Sequence, residues 1–101
     1  MGGMMAQGDK TGYVYFVSNR SRMLYIGVTS NLDQRMGQHK TGHYPGYTKK
    51  YKLDQLVYVE TFPDMTSALA RETQLKNWSR AKKVELIRQS NPEWMDLSSV
   101  P

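Results

Sequence analysis

The chain has 101 residues and a mass of 11.7 kDa, which suits one domain and leaves too little sequence for two cores. It contains no cysteine, which excludes disulfides, zinc–thiolate centres and thiol catalysis. Its net charge is +5, and no apolar run approaches the ~20 residues that span a bilayer. We expect a cytoplasmic protein with a flexible leader (1–11), a single domain (12–97) and a tail (98–101).

The first predicted elements are two strands joined by a hairpin. Aromatic and β-branched residues, which favour strands, fill residues 13–17 and again residues 23–28. The five residues between them are polar and turn-forming, so a hairpin is the natural connection.

A helix is predicted next. Its inward face consists of four residues at helical spacing, Leu32, Arg35, Met36 and His39. Residues 29–31 offer capping side chains, and Ser30 and Asp33 have the spacing of a capping box. Residues 42–51 contain glycine and proline and are predicted to form a loop.

The second half of the chain predicts one strand and two helices. Residues 53–62 alternate like a strand, and a helix reaching residue 78 follows, capped by Asp64 or Thr66. Trp94 and Leu97 are expected to hold the tail. The last helix covers residues 79–89, with three inward side chains: Ala81, Val84 and Ile87. The order β-β-α-β-α-α predicts an α+β fold, with a small three-stranded mixed or antiparallel sheet flanked by about three helices.

The positive charge is concentrated in one segment. Residues 20–52 hold seven lysine or arginine side chains and one acidic side chain. Within this segment, residues 44–52 interleave cations with tyrosines. This mixture suits nucleic acid, because cations release counterions from phosphates and aromatic rings stack on bases. A solvated basic loop that serves solubility is the alternative. The candidate nucleic-acid-binding residues are Lys40, Tyr47, Lys49, Lys50 and Lys52.

One carboxylate occupies an unexpected position. Glu72 lies on the same stripe as the apolar residues of the second predicted helix. A carboxylate that faces inward must be paired, protonated or bound to a cation. Glu72 is therefore a candidate functional residue.

The spacing of the polar residues resembles the GIY-YIG nuclease family. The second half of the family signature is present as Tyr25-Ile26-Gly27, and the first half as Tyr13-Val14-Tyr15, with Tyr13 in place of glycine. Arg35 and His39 then follow on one helical face, as in family members. Glu72 matches the metal-binding glutamate of the family, and Asn91 matches a late asparagine. The resemblance covers roughly residues 12–97 and is greatest to small stand-alone bacterial members.

This resemblance implies a metal-dependent endonuclease that hydrolyses phosphodiester bonds in DNA. It implies that Glu72 binds Mg²⁺ or Mn²⁺, and one carboxylate can suffice because waters and substrate phosphate complete the coordination. The implied catalytic residues are Tyr15, Tyr25, Arg35, His39 and Asn91.

The general base is left open among Tyr15, Tyr25 and His39. A free phenol has a pKa near ~10, so Tyr25 needs Arg35 and the metal to lower its pKa. His39 has an unperturbed pKa near ~6.5, which suits a base at neutral pH. Arg35 offers a planar guanidinium that matches phosphate geometry.

Two other functions are alternatives: a nucleic-acid-binding module with little activity, and a catalytic subunit that needs a partner protein for specificity. The nuclease is favoured because a pure binder has no use for an acidic group beside a phosphate site. The small basic surface favours DNA distinguished by structure, such as branches, flaps, nicks or overhangs, as in DNA repair or processing. RNA is an alternative substrate, no membrane partner is expected, and a monomer or weak dimer is predicted.

Overall fold

The computed structural model describes residues 10–98, so most of the expected leader and tail lies outside the described residues. Within that range the elements are, in chain order, β1 (Gly12–Ser18), β2 (Leu24–Thr29), α1 (Leu32–Thr41), α2 (Tyr47–Lys50), β3 (Gln55–Phe62), α3 (Met65–Lys76) and α4 (Arg80–Ser90). This order confirms the predicted α+β fold, with α2 as an addition. No helix in this range has the length and apolarity needed to cross a bilayer.

The sheet has the order β2-β1-β3, and both pairings are antiparallel. The predicted hairpin is confirmed, with Tyr15 opposite Gly27 on one side and Val59 on the other. Because β1 is central, its side chains are buried on both faces of the sheet.

The two faces of the sheet carry separate cores. Val14 and Phe16 point to the face covered by α3 and α4, whereas Tyr15 and Val17 point to the opposite face. On that second face the core is smaller, and α1 contributes Met36 to it. The alternation along β1 therefore directs Tyr15 towards α1.

The helix caps agree only partly with the sequence prediction. Asn31, rather than Ser30, caps α1, with its side-chain oxygen accepting a hydrogen bond from the Gln34 backbone N–H over 3.1 Å. The Thr29 hydroxyl accepts a hydrogen bond from the Asn31 N–H, which holds Asn31 at the capping position. The predicted capping box is therefore wrong, whereas Asp64 caps α3 as predicted.

The segment 42–51 contains a short helix, α2, where the sequence predicted only a loop. Thr48 is buried, and its hydroxyl donates to the backbone carbonyl of Tyr44 over 3.3 Å. The Leu53 N–H donates to the Thr48 carbonyl over 2.9 Å, so Leu53 closes this helical turn and β3 begins only at Gln55. The anchor that forms α2 is thus a buried threonine, which the composition of the loop did not indicate.

The tail is held by Trp94 and by the backbone around Leu97. Trp94 is buried with the core under α3 and α4. Leu97 has an exposed side chain, and its N–H donates to the Leu56 carbonyl over 2.7 Å. Ala81 lies exposed in the first turn of α4, so its predicted inward position is wrong. The core contacts of this helix come from residues 84–87 instead.

Candidate active site

Five polar side chains from β1, β2, α1 and the loop after α1 form one hydrogen-bonded group. We call it the polar cluster, and its members are Tyr15, Tyr25, Arg35, His39 and Tyr44. The Tyr15 hydroxyl lies 3.0 Å from His39 Nε2 and accepts from Arg35 Nη1 over 3.2 Å. The Tyr44 hydroxyl accepts from the same Nη1 over 3.3 Å and lies 3.3 Å from the Tyr25 hydroxyl. The structure therefore brings together four of the five residues predicted to be catalytic.

Gly27 creates the space in which Tyr15 lies. A Cβ atom placed on Gly27 would stand 2.4 Å from the Tyr15 hydroxyl oxygen and 2.5 Å from the ring carbon that bears it. Since the two residues are opposite each other in the hairpin, the Tyr15 ring crosses directly over the Gly27 backbone. The glycine of the Tyr25-Ile26-Gly27 signature thus fixes the position of the Tyr15 hydroxyl.

Tyr44 is a member of the cluster that the sequence analysis did not single out. Its ring lies 4.6 Å from the His39 ring centre, and the Arg35 guanidinium lies 4.6 Å from its own ring centre. Gly42 adopts a left-handed conformation that ends α1, and the chain then turns back so that the Tyr44 N–H donates to the Gln38 carbonyl. Tyrosine content alone could not separate Tyr44 from its exposed neighbours, and the one local signal was this glycine.

The two signature tyrosines hold their protons more tightly than free phenols. Burial raises the pKa of Tyr15 to about 12, against the opposing charge and hydrogen bond of Arg35. Burial also raises the pKa of Tyr25 well above its usual value, and the hydroxyl of Tyr44 adds to this rise. Arg35 forms its hydrogen bonds with Tyr15 and Tyr44 instead. Among the described residues, Arg35 therefore does not provide the lowering of the Tyr25 pKa that a role as base would need.

His39 is a neutral ring at neutral pH. Burial and, as the smaller cause, the charge of Arg35 together lower its pKa to about 4. Its Nδ1 atom is buried without a hydrogen-bond partner among the described residues. A buried N–H without an acceptor is rarer than an unpaired acceptor, so we infer the tautomer with hydrogen on Nε2. The expectation of an unperturbed histidine is therefore wrong, and the ring donates to the Tyr15 oxygen.

Glu72 places a negative charge beside the cluster from α3. Its charge adds to the pKa increase of both Tyr15 and Tyr25, after burial as the main cause. Its side chain is 14% exposed and forms an ion pair with Lys76, 3.2 Å away and one turn along the helix. Lys76 is half exposed, and exposed pairs of this kind contribute little stability, so the lysine can leave the carboxylate at small cost.

The donor set near Glu72 suits a metal that is shared with a substrate. No group of three or more histidine or acidic side chains within residues 10–98 could hold a metal ion alone. Mg²⁺ is commonly bound by one or two carboxylates, and waters and phosphate oxygens complete its octahedral coordination. Glu72 would provide the carboxylate, and a bound phosphodiester would provide the phosphate oxygens.

Asn91, the fifth predicted catalytic residue, lies elsewhere in the described structure. Its buried amide donates to the carbonyls of Val57 and Met95 over 3.1 and 2.9 Å, and its oxygen accepts from the Met95 N–H over 3.0 Å. These hydrogen bonds from the Asn91 side chain to backbone groups join the end of α4 to β3 and to the segment that follows α4. Asn91 has no described hydrogen bond to the polar cluster, so its catalytic role stays a prediction.

The predicted nucleic-acid-binding residues fall into two groups. Lys40 forms an ion pair with Asp96 and donates to the Asp54 carbonyl, which leaves its side chain 15% exposed. The others lie exposed on or beside α2, and they are Tyr47, Lys49, Lys50 and Lys52. Lys40 is thus engaged in holding the tail, and the exposed surface at α2 is the part open to a ligand.

The fold and the cluster together define a GIY-YIG domain. Residues 11–85 match the model of the GIY-YIG catalytic domain, and the chain belongs to that family. The resemblance predicted from the sequence is confirmed.

Among its relatives are small proteins of similar length. It is 40% identical over 84 residues to a UPF0213 protein from Syntrophus aciditrophicus, covering 82% of this chain and 95% of that protein. It is 36% identical to a UPF0213 protein from Staphylococcus haemolyticus, covering 76% and 94%. The solution NMR structure of a UPF0213 protein from Bacillus halodurans superimposes with a TM-score of 0.56 at 27% identity, covering 89% of this chain and 96% of that one.

Proposed function

We propose that this protein is a divalent-metal-dependent endonuclease that hydrolyses phosphodiester bonds in DNA. Its membership of the GIY-YIG family supports a nuclease role. The observation that carries the proposal is the hydrogen bond of the Arg35 guanidinium to the Tyr15 hydroxyl, with the Glu72 charge near enough to raise the pKa of that hydroxyl. A cation for phosphate, a hydroxyl for water and a carboxylate for metal are the groups that this hydrolysis requires. We further propose substrates distinguished by structure, in DNA repair or processing.

Arg35 would bind the scissile phosphate. Its described side-chain hydrogen bonds use Nη1 alone, so the guanidinium retains donors for phosphate oxygens. The Tyr44 ring lies against one face of the guanidinium and restricts its orientation. Arg35 would therefore offer a preorganised positive charge to the phosphorane.

Glu72 would hold Mg²⁺ or Mn²⁺, as the donor set allows. Such an ion supplies Lewis-acid polarisation of the phosphate and offsets its developing negative charge. The Lys76 side chain would leave the carboxylate on binding, because it is itself half exposed to solvent.

Tyr15 is the best placed of the three candidate bases. Its oxygen accepts from the Arg35 cation and from His39, and both bonds favour the deprotonated form. Tyr25 instead contacts the neutral hydroxyl of Tyr44. With a pKa of about 12, Tyr15 is almost fully protonated at neutral pH, and the fraction able to accept a proton from the attacking water grows about tenfold with each unit of pH below that value. Cleavage should then rise with pH from 7 to 9.5.

The test is a cleavage assay on labelled DNA in low salt with Mg²⁺ or Mn²⁺. Single-stranded, duplex, nicked, flapped and branched DNAs would be compared, with EDTA as the metal-free control. Glu72→Ala should abolish cleavage, whereas Glu93→Ala, which removes an exposed carboxylate from the segment after α4, should leave it unchanged. Binding without cleavage in every arm, unaffected by Glu72→Ala, would overturn the proposal and identify a nucleic-acid-binding module or a subunit awaiting its partner.

A further inference from the structure

Two tyrosine rings lie side by side on the exposed surface at α2. Tyr47 and Tyr51 are one helical turn apart, with ring centres separated by 5.1 Å and planes inclined at 58°. They remain 45% and 39% exposed, which is unusual for neighbouring aromatic residues. We call this pair the tyrosine platform. Neither ring takes part in the polar cluster.

The surroundings of the platform are mainly cationic. The Lys50 ammonium lies 5.3 Å from the Tyr51 ring centre, and Lys49 is exposed on the same short helix. A pocket of about 440 Å³ adjoins Tyr51 and includes the side chains of Arg20 and Lys52. Its acidic lining residue is Asp54. An anionic polymer with flat aromatic groups is the ligand that this combination of charges and rings would attract.

The platform is fixed relative to the polar cluster. Buried Thr48 lies between the two rings in sequence and bonds to the Tyr44 carbonyl, and the Tyr44 hydroxyl belongs to the cluster. The Tyr51 carbonyl accepts from the Asn19 side chain over 2.8 Å, which ties the other end of α2 to the β1–β2 hairpin. A strand held on the platform would therefore lie at a fixed position relative to the polar cluster.

We propose that the tyrosine platform stacks unpaired bases of the strand whose phosphodiester enters the site. The substrate class is therefore nucleic acid with a single-stranded segment next to the scissile bond, an inference that rests on the proposed function. Bases within a duplex are already stacked on each other, so they offer no free face to an aromatic side chain. The lysines contact phosphates of either form, and only the rings distinguish an unpaired base.

The test measures binding separately from cleavage. The Glu72→Ala protein in EDTA would be titrated into three fluorescent oligonucleotides of about twelve nucleotides, a length within the usual site size. These are a thymidine strand, an abasic strand with the same phosphates, and a duplex. We expect the thymidine strand to bind at least about fivefold more tightly than the abasic strand, which corresponds to stacking of one base.

Matched variants identify the source of that preference. Replacing Tyr47 and Tyr51 by leucine should remove the preference, whereas replacing both by phenylalanine should retain it, because phenylalanine keeps the ring. Lys50→Ala should weaken binding of all three oligonucleotides alike. Circular dichroism melting curves would confirm that each variant is folded, and the single variants Tyr47→Leu and Tyr51→Leu, each of which should reduce the preference, serve as the test if the leucine pair is not.

Two outcomes would overturn the platform: equal binding of thymidine and abasic strands, or an unchanged preference in the folded leucine variant. The wild-type cleavage assay separates this result from the proposed function. Base-dependent binding without cleavage would support base stacking on the platform and contradict the proposed nuclease activity. Cleavage with base-independent binding would support the nuclease activity and contradict base stacking.

Discussion

The polar cluster and the tyrosine platform use the same residue types in opposite ways. In the cluster, Tyr15 is fully buried and its hydroxyl bonds to a histidine and an arginine. In the platform, Tyr47 and Tyr51 expose their rings beside lysines. Burial makes the hydroxyl and its pKa the functional property in the first region, and exposure makes the ring face the functional property in the second. Tyr44 shows how local the boundary is, since it is three residues from Tyr47 and belongs to the cluster.

The largest expected effect is at Arg35, where the cluster depends on geometry as well as charge. Arg35→Lys keeps the positive charge but removes the planar guanidinium that bonds to two hydroxyls and covers the Tyr44 ring. We expect cleavage to fall by about a hundredfold or more. Arg88→Lys, on the exposed face of α4, is the matched control and should cleave normally. Full activity of Arg35→Lys would show that the cluster needs only a positive charge at this position and not the planar guanidinium.

The second-largest expected loss of cleavage is at Gly27, because the Tyr15 ring packs directly against its backbone. In Gly27→Ala the new methyl group would overlap the Tyr15 hydroxyl, so the ring must move away from Arg35 and His39. We expect up to about a hundredfold less cleavage, and a loss of about 1–3 kcal/mol in the free energy of unfolding.

Gly37 provides the control for that substitution. A methyl group on Gly37 meets no atom within 4 Å, and alanine favours a helix interior over glycine by about 1 kcal/mol. Gly37→Ala should therefore cleave normally and unfold at higher urea concentration. Equal behaviour of the two alanine variants would disprove the close packing of Tyr15 on Gly27.

His39 makes the stability that it contributes to the cluster depend on pH. The unfolded chain protonates His39 near pH 6.5, whereas burial and Arg35 delay protonation in the folded state until about pH 4. Lower pH thus favours the unfolded chain, so this stability is present above pH 6.5 and is lost as pH falls to about 4. We expect a loss of roughly 2–3 kcal/mol from this residue.

Urea unfolding of the wild type and of His39→Gln at several pH values measures this effect. Carboxylates titrate in both proteins, so the steeper decline of the wild type below pH 6.5 isolates the histidine. Parallel curves for the two proteins would mean that His39 titrates alike in both states.

The sequence predicts the parts of this molecule that depend on periodic spacing. Arg35 and His39 share a face because they are four residues apart, and alternation along β1 separates Tyr15 from Val14. What it misses depends on contacts between distant segments. The helix at Tyr47 requires a buried threonine, and the pKa of His39 depends on burial, which no local pattern specifies.

Substitution of Tyr44 should have the smallest effect on cleavage. It is also the most direct test of the difference between the cluster and the platform. Tyr44→Phe removes the hydroxyl that joins Tyr25 to Arg35 but keeps the ring that lies against Arg35 and His39. We expect kcat to fall by up to about tenfold with KM little changed and a loss of about 1 kcal/mol in the free energy of unfolding, because the hydroxyl makes only two partly exposed hydrogen bonds.

The same substitution at Tyr47 is the matched control, and it should leave kcat unchanged because the platform uses only the ring. Loss of the Tyr44 hydroxyl should also change the pH profile of cleavage, since Tyr44 adds to the raised pKa of Tyr15. If Tyr44→Phe and Tyr47→Phe have equal kcat values and pH profiles, Tyr44 belongs functionally with the platform, and the cluster is limited to the four residues predicted from the sequence.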